Sequence, residues 1–335
     1  MATTTAPKPR TRTRRPPLPT LEQVYVPKPG DISLALVREQ FKLESSQVVE
    51  LGPQVYKMGP YVVVKLERRA SPVYHGMEVA ATPEPNANDT DANDSKEVDD
   101  NFTRPPVENI AREGELLRRA EPYAVKLFGR VVGLNEESGK LCCAGLILQC
   151  GKPLDEVLDT FTESYPPMAE KNRLATKMMI LILKLHKEKR MVHGDIKPQN
   201  MVLVNGEVKL IDFESAKYLE EDFDDDQWEE WYSKGTPMYE TPDRHLWTHE
   251  YESPVVEIDD LYAMALTMYQ VYVPGQPFDF EASGGMFGPN PILEKRGFPD
   301  LSKVGSAGIR AWMKKVFVKG GGKVQVDKFG NEVQD

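Results

Sequence analysis

The feature of this sequence that most constrains its fold is a polar loop followed by a short predicted hairpin. The loop, residues 193–200, has the sequence HGDIKPQN. Residues 201–204 form an apolar run, Asn205-Gly206 is typical of a two-residue type I′ turn, and residues 207–211 form the returning run. The pattern predicts two paired strands with polar residues at both outer ends. The fold must therefore bring the loop and the end of the second strand together.

Four side chains at the ends of this hairpin form a set suited to phosphoryl transfer from a nucleotide. They are Asp195, Lys197, Asn200 and Asp212. Such a transfer needs a carboxylate to orient the attacking hydroxyl, an amide and a second carboxylate to hold Mg²⁺, and a lysine to neutralise developing charge. Asn200 and Asp212 flank the two ends of one hairpin and can face one metal ion. The alternative is a surface hairpin with solvated polar ends, which the length and fixed order of the pattern disfavour.

This set closely resembles two motifs of the protein kinase-like superfamily, the catalytic loop HxDxKPxN and the metal-binding DFG. The chain differs from them at Gly194, where many members have arginine, and at Glu214, where most have glycine. The resemblance implies an α+β, bilobal protein kinase-like fold, with an antiparallel five-stranded N-lobe and a mainly helical C-lobe. It also implies that ATP and Mg²⁺ are the cofactors.

The resemblance assigns a role to each of the four side chains. Asp195 is expected to orient the acceptor hydroxyl as the base, and Lys197 to face the phosphate. Asn200 and Asp212 are expected to be the Mg²⁺ ligands. Because Gly194 has no group that could receive the phosphate of a modified loop residue, we expect any activity to be independent of activation-loop phosphorylation.

A lysine and an acid upstream extend the resemblance into the predicted N-lobe. Lys65 lies in an apolar strand at residues 61–67 and is similar to the kinase lysine that bonds the α and β phosphates; the alternative is an exposed polar strand position. On a helix predicted at residues 107–120, Glu113 is the better match for the acid that pairs with that lysine. Glu115 is the second candidate, because one sequence does not fix the helix phase.

The nucleotide pocket is expected between the strands of this lobe and a hinge at residues 149–151. Strands are predicted at residues 47–51, 54–57, 61–67, 124–132 and 141–148. Only Leu51-Gly52-Pro53 lies where a G-x-G-x-x-G loop would fall, which weakens the expected clamping of phosphates. The resemblance implies nucleotide contacts from Lys65, Leu51, Val63, Leu148, Gln149, Gly151 and Ile211.

Two more motifs and several helices are expected in the C-lobe. Residues 235–243, GTPMYETPD, resemble the segment that closes a kinase activation loop, and Asp260 resembles the acid that begins the central buried helix. The resemblance implies that Thr236 contacts Asp195 and Lys197 and that Asp260 bonds the backbone of the catalytic loop. No arginine partner for Asp243 is evident. Helices are predicted at residues 31–45, 154–161, 174–185 and 307–318.

Composition predicts the segments around the lobes, and the resemblance to kinases implies the bounds of the lobes themselves. Residues 1–30, basic and rich in proline, are expected to be a disordered arm. The N-lobe is expected at residues 31–149, with a disordered acidic insertion at about 69–106. The C-lobe is expected at residues 150–320 and a tail at 321–335.

The overall charge and the cysteine content exclude several classes of protein. A net charge of −10 and a pI near 5.2 disfavour a broad nucleic-acid surface. No apolar run approaches the length of a membrane span, and no secretory signal is evident. Three cysteines are too few for a disulfide framework. We expect a monomer inside the cell, cytoplasmic or nuclear, with reduced cysteines.

Three functions are compatible with these patterns. The first is an ATP- and Mg²⁺-dependent transfer of phosphate to serine or threonine of a protein substrate, which Lys197 and Thr236 favour over a tyrosine substrate. The second is a small-molecule kinase related to aminoglycoside and choline kinases, favoured by Gly194, Glu214 and the missing glycine loop. The third is a pseudokinase scaffold, disfavoured because all the charged residues that the chemistry needs are present.

An acidic run at residues 220–230 predicts a preference for basic protein substrates. It contains only acids among its charged residues. If the run lines a peptide-docking surface, arginine- or lysine-flanked peptides should be preferred and added salt should weaken that preference. A peptide array at two salt concentrations measures this. Autoinhibition by the basic arm predicts instead that removing residues 1–30 raises activity, and equal use of acidic and basic peptides would leave only a solubilising role.

Overall fold

The computed structural model describes residues 32–33, 48–52, 55–58, 60–66, 107–134, 141–219, 235–245, 256–278 and 291–333. The predicted basic arm, the predicted insertion and the acidic run at residues 220–230 lie outside these residues.

The N-terminal part of the described chain is a sheet with one helix packed on it. In chain order its elements are β1 (Ile32–Ser33), β2 (Val48–Gly52), β3 (Val55–Met58), β4 (Val62–Leu66), α1 (Val107–Ala120), β5 (Leu127–Leu134) and β6 (Leu141–Gln149). The sheet order is β1-β5-β6-β4-β3-β2. The five strands from β2 to β6 pair antiparallel, as predicted.

A short sixth strand extends this sheet at the β5 edge. Strand β1 pairs parallel to β5, with Ile32 opposite Val131. The helix predicted for residues 31–45 is therefore wrong at Ile32 and Ser33, and its other residues lie outside the described chain. The open N–H and C=O groups of an edge strand offer pairing that local helix propensity cannot signal.

The connection between β2 and β3 is very short. Gly52 pairs with Val55, so only Pro53 and Gln54 lie between the two strands. A G-x-G-x-x-G loop does not fit in this space. The connection between β2 and β3 therefore lacks the length of a glycine-rich loop as well as its glycines.

Helix α1 lies close to β6 because one of its residues is glycine. A Cβ on Gly114 would come within 2.7 Å of Leu146 Cδ2. Leu116 and Leu117 on the same helix are fully buried. The close approach places the adjacent Glu113 beside strand β4, the neighbour of β6 in the sheet.

The C-terminal part is mainly helical. Its elements are β7 (Lys152–Pro153), α2 (Leu154–Leu158), α3 (Met168–Lys184) with a π-helical turn (Leu185–Lys189), β8 (Met191–Val192), β9 (Met201–Val204), β10 (Glu207–Leu210), β11 (Lys217–Tyr218), α4 (Pro242–His245), α5 (Glu257–Tyr272), α6 (Pro291–Glu294), β12 (Gly297–Pro299), α7 (Ala307–Lys319) and β13 (Val324–Val326). This division between an antiparallel sheet and a helical part confirms the predicted α+β kinase-like class. No helix within the described ranges is both long and apolar enough to cross a membrane.

The C-terminal core surrounds the loop and hairpin that the sequence singled out. Helices α3 and α5 pack together, and residues such as Met178 and Tyr262 are fully buried between the elements. The predicted hairpin is confirmed, since Val204 pairs with Glu207. Asn205 and Gly206 have φ values of 51° and 78°, as a type I′ turn requires.

The packing of β6 predicts a large effect of one added methyl group. A Cβ on Gly145 would lie 2.7 Å from the backbone oxygen of Lys65 and 3.2 Å from Val131 Cβ. Because backbone atoms must shift, Gly145→Ala should lower the free energy of unfolding by about 1–3 kcal/mol. Denaturant unfolding measures it. Gly308→Ala, in the first turn of α7, is the control and should be neutral or slightly stabilising, because a Cβ there would meet only Ser306 Oγ, at 4.0 Å. Equal stability of both variants would contradict the packing argument.

Candidate active site

A buried carboxylate at the start of α5 holds the polar loop in place. Asp260 Oδ2 accepts hydrogen bonds from the backbone N–H of His193 (2.7 Å) and from His186 Nε2 (3.0 Å), and Oδ1 accepts one from the N–H of Gly194 (2.9 Å). Asp260 is 1% exposed. Burial opposes ionisation, but the hydrogen bonds from His186 and His193 hold the pKa of this carboxyl below its usual range.

His193 joins the loop to the end of the hairpin. Its Nε2 donates to the carbonyl of Ile211 at 2.9 Å, and its Nδ1 accepts from the N–H of Asp195 at 3.3 Å. These two bonds fix the neutral tautomer with the proton on Nε2. Its ring also packs edge-on against the buried Phe213, with ring centroids 4.8 Å apart.

Three side chains converge on the Asp195 carboxylate. Thr236 Oγ1 donates to Oδ1 at 2.8 Å. Lys197 Nζ and Asn200 Nδ2 each donate to Oδ2 at 2.7 Å. Lys197 Nζ also lies 2.8 Å from Thr236 Oγ1. Segment 235–245 is therefore tied to the loop by the threonine that its motif singled out.

The second ionic group joins the N-terminal sheet, α1 and the end of the hairpin. Lys65 Nζ lies 2.9 Å from both Glu113 carboxylate oxygens and 2.7 Å from Asp212 Oδ1. Burial would lower the pKa of Lys65, but Glu113 and Asp212 raise it well above its usual range. Burial also raises the pKa of Glu113, against the effect of Lys65. For Asp212, burial opposes ionisation, but Lys65 holds its pKa below the usual range.

The backbone at Asp212 turns the carboxylate toward this lysine. Asp212 has φ 62° and ψ 67°, in the left-handed region that non-glycine residues rarely adopt. Strain of this kind occurs at functional sites where the surrounding contacts enforce it. Here the adjoining Phe213 is fully buried and the N–H of Ile211 donates to the Asn200 carbonyl at 3.0 Å.

Of the two candidate partners for Lys65, the structure brings Glu113 to it and turns Glu115 elsewhere. Glu115 accepts from Arg118 Nη2 at 2.6 Å and from Arg119 Nε at 2.5 Å. The burial of Glu115 opposes ionisation, but Arg118 and Arg119 hold its pKa below the usual range. Residues two positions apart on a helix point to different faces, so the packing of α1 decides which of Glu113 and Glu115 faces Lys65.

The residues expected to contact a nucleotide lie at the strand ends and in the hinge. Val63 on β4 pairs with Leu148 on β6, and Gln149 ends β6. Gly151 lies directly against β9, where a Cβ would come within 2.7 Å of Val202. Of the remaining expected residues, Leu51 lies on β2, while Ile211 follows β10 and is partly buried.

The two departures from the family motifs have different surroundings. Gly194 has φ 83°, and a Cβ there would lie 2.5 Å from the Ser215 carbonyl oxygen. The local backbone therefore accepts no larger residue without moving. Glu214 is exposed on the short 3₁₀ turn Phe213–Ser215.

Sequence reasoning missed several residues that hold this site together. Arg296, just before β12, forms an ion pair with Asp243, for which no arginine had been evident. His186 contacts Asp260, and Arg112 Nη1 donates to the Ala216 carbonyl at 2.8 Å, joining α1 to the segment after Asp212. No sequence signal distinguishes these residues from the other arginines and histidines of the chain, because their partners are distant in the chain.

Comparisons with known proteins agree with this geometry. The family model described as the protein kinase domain matches residues 91–286, which is more than half of the chain. The chain is also similar to the serine/threonine-protein kinase MPS1 of Encephalitozoon cuniculi, with 30% identity over 101 residues. That match covers 30% of this chain and 16% of the relative.

The contacts of Asp260 predict that its negative charge stabilises the folded protein at pH values above its folded-state pKa. Asp260→Asn should lower the free energy of unfolding by roughly 3 kcal/mol at neutral pH. The reason is that the asparagine NH₂ group would stand where a carboxylate oxygen now accepts a hydrogen bond from a backbone N–H. Since the folded-state pKa is depressed from 3.8, this contribution is present above that value and is lost as the pH falls through the folded-state pKa. Unfolding measured against pH tests this.

Asp259→Asn is a matched control for this prediction. Burial raises the pKa of this neighbouring carboxyl, so removing its charge should cost less at neutral pH. If the two variants lost equal stability, Asp260 would not have the special role that its hydrogen bonds indicate.

Proposed function

This chain belongs to the protein kinase domain family, and we propose that it is an ATP- and Mg²⁺-dependent phosphotransferase that phosphorylates serine or threonine side chains of a protein. The observation that carries the proposal is the convergence of Thr236, Lys197 and Asn200 on the Asp195 carboxylate at 2.7–2.8 Å. A base, a neutralising lysine and an amide are thereby gathered at one point, as phosphoryl transfer requires. In this proposal the N-lobe spans residues 31–149 and the C-lobe residues 150–320.

Asn200 and Asp212 suit Mg²⁺ by the chemistry of their donor atoms. Asp212 offers a carboxylate, and the Asn200 amide nitrogen donates to Asp195, so its amide oxygen points away from that carboxylate. Mg²⁺ prefers such oxygen ligands and usually completes its shell with phosphates and water. In the described part of the chain, no three His, Cys, Asp or Glu residues are grouped so as to hold a metal ion. When bound, the ion would neutralise phosphate charge.

Asp195 is placed to receive an acceptor hydroxyl and to orient it toward the phosphate. Its carboxylate is 14% exposed, so it is reachable while Thr236 and Asn200 fix its direction. Lys197, paired with Asp195 at 2.7 Å, would turn its ammonium group toward the charge that develops on the transferred phosphoryl group. The hydroxyl proton would pass to the Asp195 carboxylate as the acceptor oxygen bonds the γ-phosphorus of ATP and the bond from that phosphorus to the β-phosphate oxygen breaks, with ADP as the leaving group.

Lys65 would contact the α and β phosphates from the other side of the site. Its ion pair with Glu113 supports this role, because the glutamate fixes the ammonium group, and the N–H that faces Asp212 at 2.7 Å would turn to the phosphates. The raised pKa of Lys65 keeps the group charged at neutral pH. Val63, Leu148 and the hinge at Gln149 to Gly151 would enclose the base.

An open crevice beside Asp195 favours an extended acceptor. It opens to solvent and borders Gly235, Thr236 and Glu240 on one side and Gly194 on the other. The presence of Thr236 and Lys197 favours a serine or threonine hydroxyl over a tyrosine. The similarity to a serine/threonine kinase agrees with that choice.

One observation favours a second candidate, a pseudokinase scaffold that binds nucleotide without transferring phosphate. The pairing of Gly52 with Val55 leaves no loop long enough to bring several backbone N–H groups to the phosphates. Measuring nucleotide binding and phosphate transfer on the same protein distinguishes a scaffold from an enzyme.

Two carboxylates should give different defects in that measurement. Asp195→Asn should lower turnover by roughly 10²- to 10⁴-fold and leave nucleotide binding intact, because Asp195 faces the acceptor. Asp212→Asn should abolish the Mg²⁺-dependent part of binding. Thermal unfolding with ATP, with and without Mg²⁺, reports binding, since a ligand at a hundred times its Kd adds about 2.7 kcal/mol.

The outcomes distinguish the candidate functions. The enzyme proposal is supported if the protein transfers phosphate to serine- or threonine-containing peptides and Asp195→Asn abolishes that transfer. Transfer only to aminoglycosides or choline would replace the protein acceptor with a small molecule. Stabilisation by ATP without any transfer would favour the scaffold, and unchanged transfer by Asp195→Asn would overturn the assigned mechanism.

A further inference from the structure

The segment that follows Asp212 lies directly beside the start of the polar loop. Strand β11 belongs to this segment and pairs antiparallel with β8, which precedes the loop. Lys217 lies opposite Val192, and the same register places Ser215 opposite Gly194. The residue at which the chain departs from the family's catalytic loop therefore faces the residue that follows the metal-binding motif.

Gly194 lets these two segments approach more closely than any other residue would. A Cβ there would lie 2.5 Å from the Ser215 carbonyl oxygen and 3.1 Å from Ser215 Cβ. The first of these is a backbone atom, so a change of rotamer cannot relieve the overlap. The loop is also held on its other side, where the N–H of Gly194 donates to Asp260 Oδ1 at 2.9 Å. A side chain at position 194 therefore pushes the segment at Ser215 away from the loop.

A single turn connects this contact to Asp212. Ser215 ends the 3₁₀ turn that begins at Phe213, and the N–H of Ala216 donates to the Phe213 carbonyl at 3.1 Å. Phe213 is fully buried, which fixes the middle of the connection. A displaced Ser215 thus alters the turn that begins directly after Asp212. The position of the Asp212 carboxylate depends in this way on the contact at Gly194.

The remaining contacts of the segment use backbone groups and one arginine. Arg112 Nη1 on α1 donates to the Ala216 carbonyl at 2.8 Å. The N–H of Leu219 donates to the Arg190 carbonyl at 2.8 Å, beyond the far end of the β8–β11 pair. These contacts and the close approach at Gly194 need no phosphate group. They give a physical basis for an activity that is independent of activation-loop phosphorylation.

We propose that Gly194 is a positioning residue for Mg²⁺ binding. Because it carries no side chain, the segment after Asp212 closes onto the catalytic loop, and this contact sets where Asp212 lies relative to Asn200. The arginine that many members of the family have at this position would impair this chain. For its metal and catalytic readouts the proposal rests on the proposed phosphotransfer.

The first test compares two glycine variants with similar backbone strain. Gly194→Ala drives a Cβ against the Ser215 carbonyl, whereas Gly206→Ala, at φ 78°, meets nothing within 4 Å. In the full-length protein without ligand, hydrogen exchange of the Ala216 amide should become at least about tenfold faster in Gly194→Ala and stay unchanged in Gly206→Ala. The Leu219 amide, beyond the far end of the pair, should keep its protection in both variants.

A titration with Mg²⁺ tests the effect on the metal site. The Mg²⁺ concentration that gives half of the metal-dependent thermal stabilisation by ATP should rise at least about tenfold in Gly194→Ala. Stabilisation by ATP alone should match the Gly206→Ala control, because the contact at position 194 acts on the metal ligand. The kcat for peptide phosphorylation should fall roughly 10- to 100-fold. Equal losses with and without Mg²⁺ would indicate general damage and overturn the proposal.

A second variant asks whether the missing side chain or the missing charge matters. Gly194→Arg introduces the residue that many members of the family have. It should give the same faster exchange at Ala216 and the same Mg²⁺ shift as Gly194→Ala, because both add a Cβ beside Ser215. If Gly194→Arg behaves like the unaltered protein, or if it is impaired while Gly194→Ala is not, the proposal is overturned.

The remaining outcomes also decide the proposal. Ala216 exchange in Gly194→Ala that equals the Gly206→Ala control would overturn it, as would a uniform rise of exchange across α3 and α5. If Gly194→Ala does not fold, the unaltered protein decides: its Ala216 amide should be equally protected before and after phosphatase treatment, and protection that phosphatase removes would overturn the proposal. If the unaltered protein transfers no phosphate, the proposed function fails while the exchange measurements still decide the role of Gly194.

Discussion

The buried Asp260 carboxylate is the interaction on which the rest of the site depends. A carboxylate that is 1% exposed is costly to bury, and the cost is offset only because backbone N–H groups and His186 donate to it. Two of those N–H groups belong to His193 and Gly194, at the start of the polar loop. The first turn of α5 thereby sets the backbone from which Asp195 projects.

Glycine acts at several other points as a means of bringing elements close together. Gly114 lets α1 approach β6, so that Glu113 reaches Lys65, and Gly151 lets the hinge lie against β9. Gly321 lets the segment after α7 reach Asp243. In each case a Cβ would meet a side-chain atom of the neighbouring element within 3 Å, so that side chain or the element that carries it would have to move. The geometry of the site therefore depends on glycines, which have no side chain that could take part in a reaction.

The prediction from sequence succeeded where local patterns were strong. The bounds of α1 and of the β9–β10 hairpin were foreseen closely, because the family-like residue pattern of α1 and the Asn205-Gly206 turn are properties of neighbouring residues. The prediction was wrong at Ile32 and Ser33, where pairing with β5 overrode the local preference. It preferred Glu113 to Glu115 only as the better match to the family pattern, since both lie on one helix and packing decides which one faces Lys65.

The sequence by itself determined the family and the order of the charged residues, because the loop and hairpin motifs are contiguous and position-fixed. Only the tertiary structure decided which partner each charge has. Arg296 lies far from Asp243 in the chain, and His186 far from Asp260, yet both pairs are in contact. Such contacts arise from the packing of helices and strands that are distant in sequence. No local pattern encodes them, because the distance between two side chains is set by all the elements between them.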